Sequence, residues 1–322
     1  MGLTSCAAHP FDCTMRTTGA PSGRLTHFGI LRFTGPDALS FLQGQLTNDT
    51  KRLSADNSML AAYLNPQGRV LALIYLLPHS SGTLAILPRE LLQPTAERLR
   101  KFVLRAKVKI DDPGESLVVS GYHGAQALAE AGLPVPSGGA GYVEKDGVGV
   151  ARVGHDAVRH WVIAAPNAQL DALDAGASIE RHWRLADIRA GLPQVYAVTS
   201  EAFVAQMLNL DLLDAISFNK GCYTGQEIVA RTQHLGRIKR RLFRVSLPPG
   251  AWHIGDEILL RDGRQGRLTE VVEGDEVTEG LAVLSLEAPA AVEPPAPEAS
   301  APQPAAADIA AAVELPLPYA LA

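Results

Sequence analysis

Two continuous apolar runs, Met59 to Leu64 and Val70 to Leu77, read as strands joined by the turn Asn65-Pro66-Gln67-Gly68. Before them, Gly35 to Gly44 reads as a short helix with Pro36 in its first turn and Leu39 and Leu42 on one face. After Pro94 a helix is expected with Leu99, Phe102 and Val103 turned inward, then a strand over Lys107–Ile110 that stops at Asp111-Asp112-Pro113-Gly114. A second block runs from Ser116 to about Arg241. It holds strands at Leu117–Ser120 and Trp161–Ala164, a helix over Ala125–Ala131 ended by Gly132, a glycine-rich loop at Ser137–Gly141 and one or two helices within Leu173–Ala190. Both blocks mix strands and helices in similar proportions, which suggests two related α+β halves, although no residue-level repeat is visible. From Leu242 the runs shorten: Leu242–Leu247, Glu257–Leu260, Gly266–Val272 and Leu281–Leu286 are evenly spaced β-like segments, the pattern of a small antiparallel barrel or sandwich. The boundaries expected are a loose leader over 1–23, α+β subdomains over 24–113 and 114–241, the β unit over 242–287, and a disordered tail over 288–322. Nine Ala and six Pro among residues 288–307 cannot pack a core.

Charge changes the picture more than composition does. The chain of 322 residues carries a formal net charge of −5. No Lys or Arg follows Arg267, whereas ten acidic residues do, so residues 1–267 hold 29 basic and 24 acidic side chains, a net of +5. The body is mildly cationic and the end anionic, a hint about partners rather than fold. No window approaches the roughly 18 apolar residues that span a bilayer. The first twenty residues lack the pattern of a secretory signal. Three cysteines, Cys6, Cys13 and Cys222, make no disulfide framework for this length and match no metal spacing. A reducing cytoplasmic setting is expected, with no membrane and no metal.

Candidate chemistry concentrates in Asn219 to Arg231, Asn-Lys-Gly-Cys-Tyr-Thr-Gly-Gln-Glu-Ile-Val-Ala-Arg. Thr224 and Glu227 have capping-box spacing, which puts Cys222 just before a helix N-terminus with Lys220 two residues earlier. Helix dipole and ammonium would both favour a thiolate. The residues alone leave two readings open, a reactive cysteine in a one-sided site or a small cysteine in a tight turn. Downstream, Ile228 to Gly255 contains no acid but six cations, Arg231, Arg237, Lys239, Arg240, Arg241 and Arg244. This is either a solvated face or a docking patch for polycarboxylate or phosphate, and strand alternation forbids burying Arg240 and Arg241 against one partner. Nucleophile elbows, zinc-binding His-Glu-x-x-His, paired Cys-x-x-Cys and dinucleotide fingerprints are missing.

The run Lys220-Gly221-Cys222-Tyr223-Thr224-Gly225-Gln226-Glu227 resembles the signature of the YgfZ family, folate-binding proteins related to the glycine-cleavage T-protein. The likeness continues through Arg231 to Gly236, Lys239 and Arg240, includes Asn209-Leu210-Asp211 and Ile216-Ser217-Phe218 upstream, and recurs at Gln43 to Asp49 and Asn65 to Arg69. It covers about residues 24–286. The resemblance implies an α+β fold, a T-protein/YgfZ-like core of two related subdomains plus a small C-terminal antiparallel β-barrel around a central opening. It implies tetrahydrofolate or a one-carbon derivative as cofactor, and a role in assembling, maintaining or repairing iron–sulfur enzymes, tRNA-modifying ones among them. On the family's motifs, Cys222 and Lys220 become the candidate reactive residues, and Gln45, Thr47, Asp49, Asn209, Tyr223, Gln226, Glu227 and Arg231 the candidate folate contacts. Expected partners are folate and iron–sulfur enzymes or their assembly factors, with the protein a monomer and no strong direct nucleic-acid binding. One departure matters: Arg189, in Asp187 to Gly191, stands where T-proteins place a pterin-holding Glu, and a cation cannot accept hydrogen bonds from a pterin amino group. Ala205-Gln206 replaces the usual Pro-Gln. Two other readings remain, an aminomethyltransferase-type one-carbon enzyme, against which Arg189 speaks, and a non-catalytic RNA- or protein-docking module using Arg231–Arg244.

Overall fold

The described chain opens on a two-residue strand, and a seven-residue strand follows at once. We describe residues 22–137, 141–154, 158–166, 177–274, 276–288 and 311–321 of a computed structural model. The first body is an antiparallel sheet of β2 (Phe28–Thr34), β3 (Met59–Leu64), β4 (Val70–Leu77), β5 (Thr83–Pro88) and β6 (Lys109–Asp111), in the order β3-β4-β5-β2-β6. Every residue of β3 and β4 is buried, which is why these strands read as unbroken apolar runs and not as alternation. Helices α1 (Ala38–Gln43) and α2 (Leu92–Arg100) flank this sheet.

The second body pairs β1 (Gly23–Arg24) with β7 (Val118–His123), and continues through β10 (Arg159–Ala164), β9 (Val148–Arg152) and β8 (Tyr142–Lys145). Helix α3 (Ala125–Glu130) follows β7, and α4 (Ala177–Ala190) packs Trp183 into the core, where it stacks on Trp161 with ring centroids 6.3 Å apart. The two sheets have five antiparallel strands each, in keeping with two similar α+β halves. The leader's residues 1–21 and part of the Ser137–Gly141 loop lie outside the described residues, as does the start of the Leu173–Ala190 segment.

The third sheet comprises β11 (Arg240–Leu247), β12 (Glu257–Leu259), β13 (Gln265–Glu273), β14 (Thr278–Ser285) and β15 (Val313–Leu315), in the order β12-β13-β14-β11-β15. Here the expectation of a disordered tail over 288–322 is corrected. Residues 289–310 are outside the described set, but 311–321 form a strap: β15 pairs antiparallel with β11, and Ala312 bridges Leu260 in parallel, so the tail joins the two edges of the sheet. Beyond it, Tyr319 donates its hydroxyl to Gly191 O at 2.8 Å and accepts from Asn209 Nδ2 at 3.3 Å. Composition concealed this because the apolar anchors Ala312, Leu317, Tyr319 and Leu321 follow twenty residues that have none to spare.

A second correction concerns α2. It ends at Arg100, with Leu99 buried and Val103 packed inward as expected, but Phe102 is 48 % exposed. The last turn unwinds through Lys101 and Phe102, so the helical spacing that would have carried Phe102 inward stops first.

Two measurements follow. Tyr319→Phe should lower the unfolding free energy by about 1–2 kcal/mol in urea titration, since Gly191 O and Asn209 Nδ2 each lose a partner. The second concerns His27, near the start of β2. Burial lowers its pKa to about 3, helped by the Arg184 charge, and this outweighs the Glu180 carboxylate 3.5 Å from Nδ1. The unfolded chain, titrating near 6.5, then holds the extra proton between those values. The stability contributed by neutral His27 is therefore complete above pH 6.5 and lost as pH falls toward 3, at up to about 1.4 kcal/mol per pH unit. Urea midpoints against pH should show this limb, flattened in His27→Leu.

Candidate functional site

The cysteine segment is held from behind by one ammonium. Lys220, buried, donates from Nζ to Gln43 O, Leu46 O and Asn48 O, each at 2.7 Å, and lies 5.1 Å from the centroid of the buried Tyr223 ring. All three protons of the ammonium are thus used on backbone. Burial lowers the Lys220 pKa to about 8, against the pull of the Asp49 carboxylate, and burial pushes the Tyr223 phenol up to about 12. Lys220 is therefore a structural clamp, and its ammonium makes no hydrogen bond to the Cys222 thiol.

Helix α5 (Gln226–His234) begins after Gly225, which sits at φ +80° and approaches the Asn65-to-Gly68 turn so closely that a Cβ would fall 2.6 Å from Asn65 O. Gly68, at φ +71°, faces Ile228 in the same way. The capping box is corrected too. Gly225 is the N-cap with no side-chain cap, Glu227 instead pairs with Arg231 at 3.1 Å, and Gln226 N donates to Tyr223 O. Cys222 itself is exposed. Lys220, Gly225 and Ile228 thereby bring together the three segments singled out in the sequence, 43–49, 65–69 and 220–231.

The remaining candidates divide sharply. Thr47 is buried, donates to Ala215 O at 2.7 Å and accepts from Ala62 N at 2.8 Å. Asp49 accepts from Gln43 Nε2 at 2.9 Å and from Lys51 N at 3.2 Å. Asn209, in left-handed backbone at φ +57°, donates to Leu242 O and Tyr319 and accepts from Leu242 N. All three thus have roles in the framework, Thr47 and Asn209 from buried positions and Asp49 from a half-buried one. Gln45 differs, because its Oε1 is buried without a hydrogen-bond partner. Glu227 and Arg231 are exposed and occupied with each other.

Sequence reasoning missed a cavity of about 380 Å³ between the first two bodies. Its apolar wall includes Met59, Leu60, Tyr75 and Leu213, and its polar groups include Asn57, Ser58, Arg52, Arg152 and Asp214. The Asp214 carboxylate takes Arg52 at 3.1 and 2.6 Å. None of the eight candidate folate contacts lines it. Segment 45–49 is instead its backing: Asn48 Nδ2 donates to Leu60 O at 2.8 Å and to Asp214 O at 2.7 Å. Arg189, expected at the pterin, points elsewhere and donates to Glu279 Oε1 at 3.1 and 2.7 Å, while Arg244 takes Glu279 Oε2. Burial works to raise the Glu279 pKa, but hydrogen bonds from Arg189 and Arg244 prevail and hold it below its usual value. Arg241 is likewise consumed, by Asp211 at 2.7 and 2.9 Å, while Arg240 beside it is exposed. Among the described residues no group of three metal-binding side chains occurs, and no helix is long and apolar enough to cross a membrane.

Comparison with known proteins gives consistent results. The chain is 31 % identical over 260 residues to the "tRNA-modifying protein YgfZ" of Pectobacterium carotovorum, covering 77 % of each. It is 32 % identical over 260 residues to the proteins of that name from Sodalis glossinidius and Escherichia coli O157:H7, covering 77 % of this chain and 78 % of each of theirs. The fold matches a crystal structure of the glycine cleavage system aminomethyltransferase T from Bartonella henselae with a TM-score of 0.66, at 18 % identity, over 84 % of this chain and 80 % of that one. No family model matches.

The clamp and the thiol separate in a stability measurement. Lys220→Met leaves three carbonyls without their donor and should cost at least about 3 kcal/mol in urea unfolding. Cys222→Ala, at an exposed position, should change it by less than about 0.5 kcal/mol.

Proposed function

The chain belongs to the YgfZ family, and on that premise we propose that it is a tetrahydrofolate-binding accessory protein serving iron–sulfur enzymes, tRNA-modifying ones included, in the cytoplasm. The observation that carries the reading is an exposed thiol on a rigidly clamped loop. A cysteine buried for packing would be inert, whereas Cys222 is offered outward from a backbone that three charge-assisted hydrogen bonds hold in place. Such a thiol suits contact with a partner protein or its cluster.

The folate is assigned to the cavity between the two sheet bodies. A pterin is a flat heterocycle with amino and amide donors, so it needs apolar walls and a carboxylate acceptor. Tyr75, Leu60 and Leu213 supply the walls and Asp214 the acceptor, the part that Arg189 cannot play. Arg52 stays paired with Asp214, and Arg152 gives the same cavity a cationic group suited to the carboxylates of the glutamate tail. Bound folate would supply one-carbon chemistry there. The chain's own part is to orient the pterin through Asp214 and to shield it from water. The aminomethyltransferase reading is weakened because Arg189 is committed to Glu279.

Calorimetric titration with tetrahydrofolate should give wild-type affinity for Cys222→Ala and at least about tenfold weaker binding for Asp214→Asn. In a deletion background Cys222→Ala should fail to restore activity of iron–sulfur enzymes, and full rescue would sink the thiol's role. A polyglutamylated folate should bind more tightly than the monoglutamate at low salt, and the advantage should shrink as salt rises.

A further inference from the structure

Residues 98–110 run Arg-Leu-Arg-Lys-Phe-Val-Leu-Arg-Ala-Lys-Val-Lys-Ile, six cations with no acid among them. This run is denser than the one after Cys222, and the fold leaves more of its cations without an ion pair. Downstream of the cysteine, Arg241 and Arg244 vanish into buried ion pairs, and Arg231 and Arg237 pair with Glu227 and Glu287. In the 98–110 run, Arg98 pairs with Glu201 and Arg100 donates to Ile110 O. Lys101, Arg105, Lys107 and Lys109 are exposed and have no side-chain ion pair among the described residues.

The segment lies flat. Val103, Ala106 and Val108 pack inward on the main core, and the alternation turns Arg105, Lys107 and Lys109 outward. Its backbone is anchored where Lys107 N donates to Asp37 Oδ2 at 2.6 Å and Asp37 N to Lys107 O at 3.4 Å. Two apolar side chains stand among these cations, Phe102 at 48 % and Leu104 at 86 % exposure. Lys107 and Lys109, two residues apart in extended chain, start from Cα positions roughly 6–7 Å apart on the same side.

We propose that this strip, Lys101 to Lys109, is a docking surface for single-stranded RNA. The cations track the phosphates, and Phe102, flanked by Lys101 and Leu104, offers a face on which a base stacks. Three observations favour RNA over other anionic partners. Protein interfaces are depleted in Lys, yet three of the four unpaired cations are lysines. A membrane-anchoring element carries its apolar groups as a continuous face, whereas here only Phe102 and Leu104 project and the residues alternating with the cations, Ala106 and Val108, are turned into the core. Arg105, Lys107 and Lys109, on alternate residues and facing outward, suit a repeating phosphate backbone better than a compact anion. The net charge of −5 conceals the strip, because the acids that balance it lie after Arg267, in the third sheet and the tail.

The test is fluorescence anisotropy of a labelled oligouridylate with the full chain, at several salt concentrations. Wild type should bind at low salt with a steep salt slope. The quadruple variant Lys101→Ala, Arg105→Ala, Lys107→Ala, Lys109→Ala should lose at least about tenfold in affinity, with its slope reduced by roughly 2–3. Phe102→Ala should weaken binding several-fold at an unchanged slope, which separates stacking from charge. Lys239→Ala with Arg240→Ala should bind as wild type does. Thermal melts within a few degrees of wild type would show that the variants are folded. The proposal is overturned if wild type does not bind, or if the quadruple variant binds equally well. It is also overturned if poly-L-glutamate competes as effectively as RNA while Phe102→Ala has no effect, which would mark the strip as a site for acidic protein.

Discussion

One ammonium sets the relation between the parts of this molecule. Lys220 takes a positive charge out of water, a cost of several kcal/mol, and offsets it with three short bonds to the carbonyls of Gln43, Leu46 and Asn48. Those acceptors come from a segment more than 170 positions earlier in the chain. A neutral side chain could not serve three carbonyls at once, and an Arg fork is the wrong shape for three acceptors converging on a point. The glycine contact between Gly225 and the Asn65–Gly68 turn extends the same junction on its other side. Cys222 is thereby exposed between two fixed points, the Lys220 side chain and Gly225.

Elsewhere a related device, guanidinium groups on buried carboxylates, ties the third sheet to the rest. Glu279 of β14 lies between Arg189 of α4 and Arg244 of β11, Glu270 of β13 takes Arg184 and the Tyr196 hydroxyl, and Asp211 takes Arg241. Removing the arginines leaves the carboxylate buried and uncompensated, so these residues are constrained together. The strap at 311–321 adds a mechanical link, since its Tyr319 touches both Gly191 after α4 and Asn209. The third sheet is therefore fixed to the first two bodies by charge and by its own last strand.

How much of this could be read from the chain depends on how local the information is. Strand runs such as Met59–Leu64, the Asn65–Gly68 turn and the helix at Gln226 were legible because periodicity and turn chemistry are short-range properties. The cysteine motif was legible as a unit, and so was the opposite fate of Arg240 and Arg241, which follows from strand alternation. What escaped was every choice of distant partner. Nothing near Lys220 in sequence announces that its ammonium will leave Cys222 for Gln43, Leu46 and Asn48. Arg189 was read as a substitution at a ligand site, when its guanidinium is engaged by a glutamate ninety positions away. Phe102 was placed inside by helical spacing, and the helix ends two residues too soon.

The same clamp relates cavity to thiol. Asn48 stands between them: its side chain donates to Asp214 O at the cavity, and its carbonyl accepts from Lys220 two residues before Cys222. A folate seated against Asp214 and a partner seated on Cys222 would then meet opposite ends of one hydrogen-bonded strut. Neither needs to touch the other for their affinities to be linked. If the strut is looser in the empty protein, each ligand meets part of the cost of ordering it, and the coupling is equal in both directions. If it is already rigid, as three bonds at 2.7 Å to one buried ammonium suggest, little ordering remains to be shared. The geometry favours the second case: a pre-ordered scaffold on which a folate in the cavity and a partner at the thiol would bind as neighbouring but thermodynamically separate ligands.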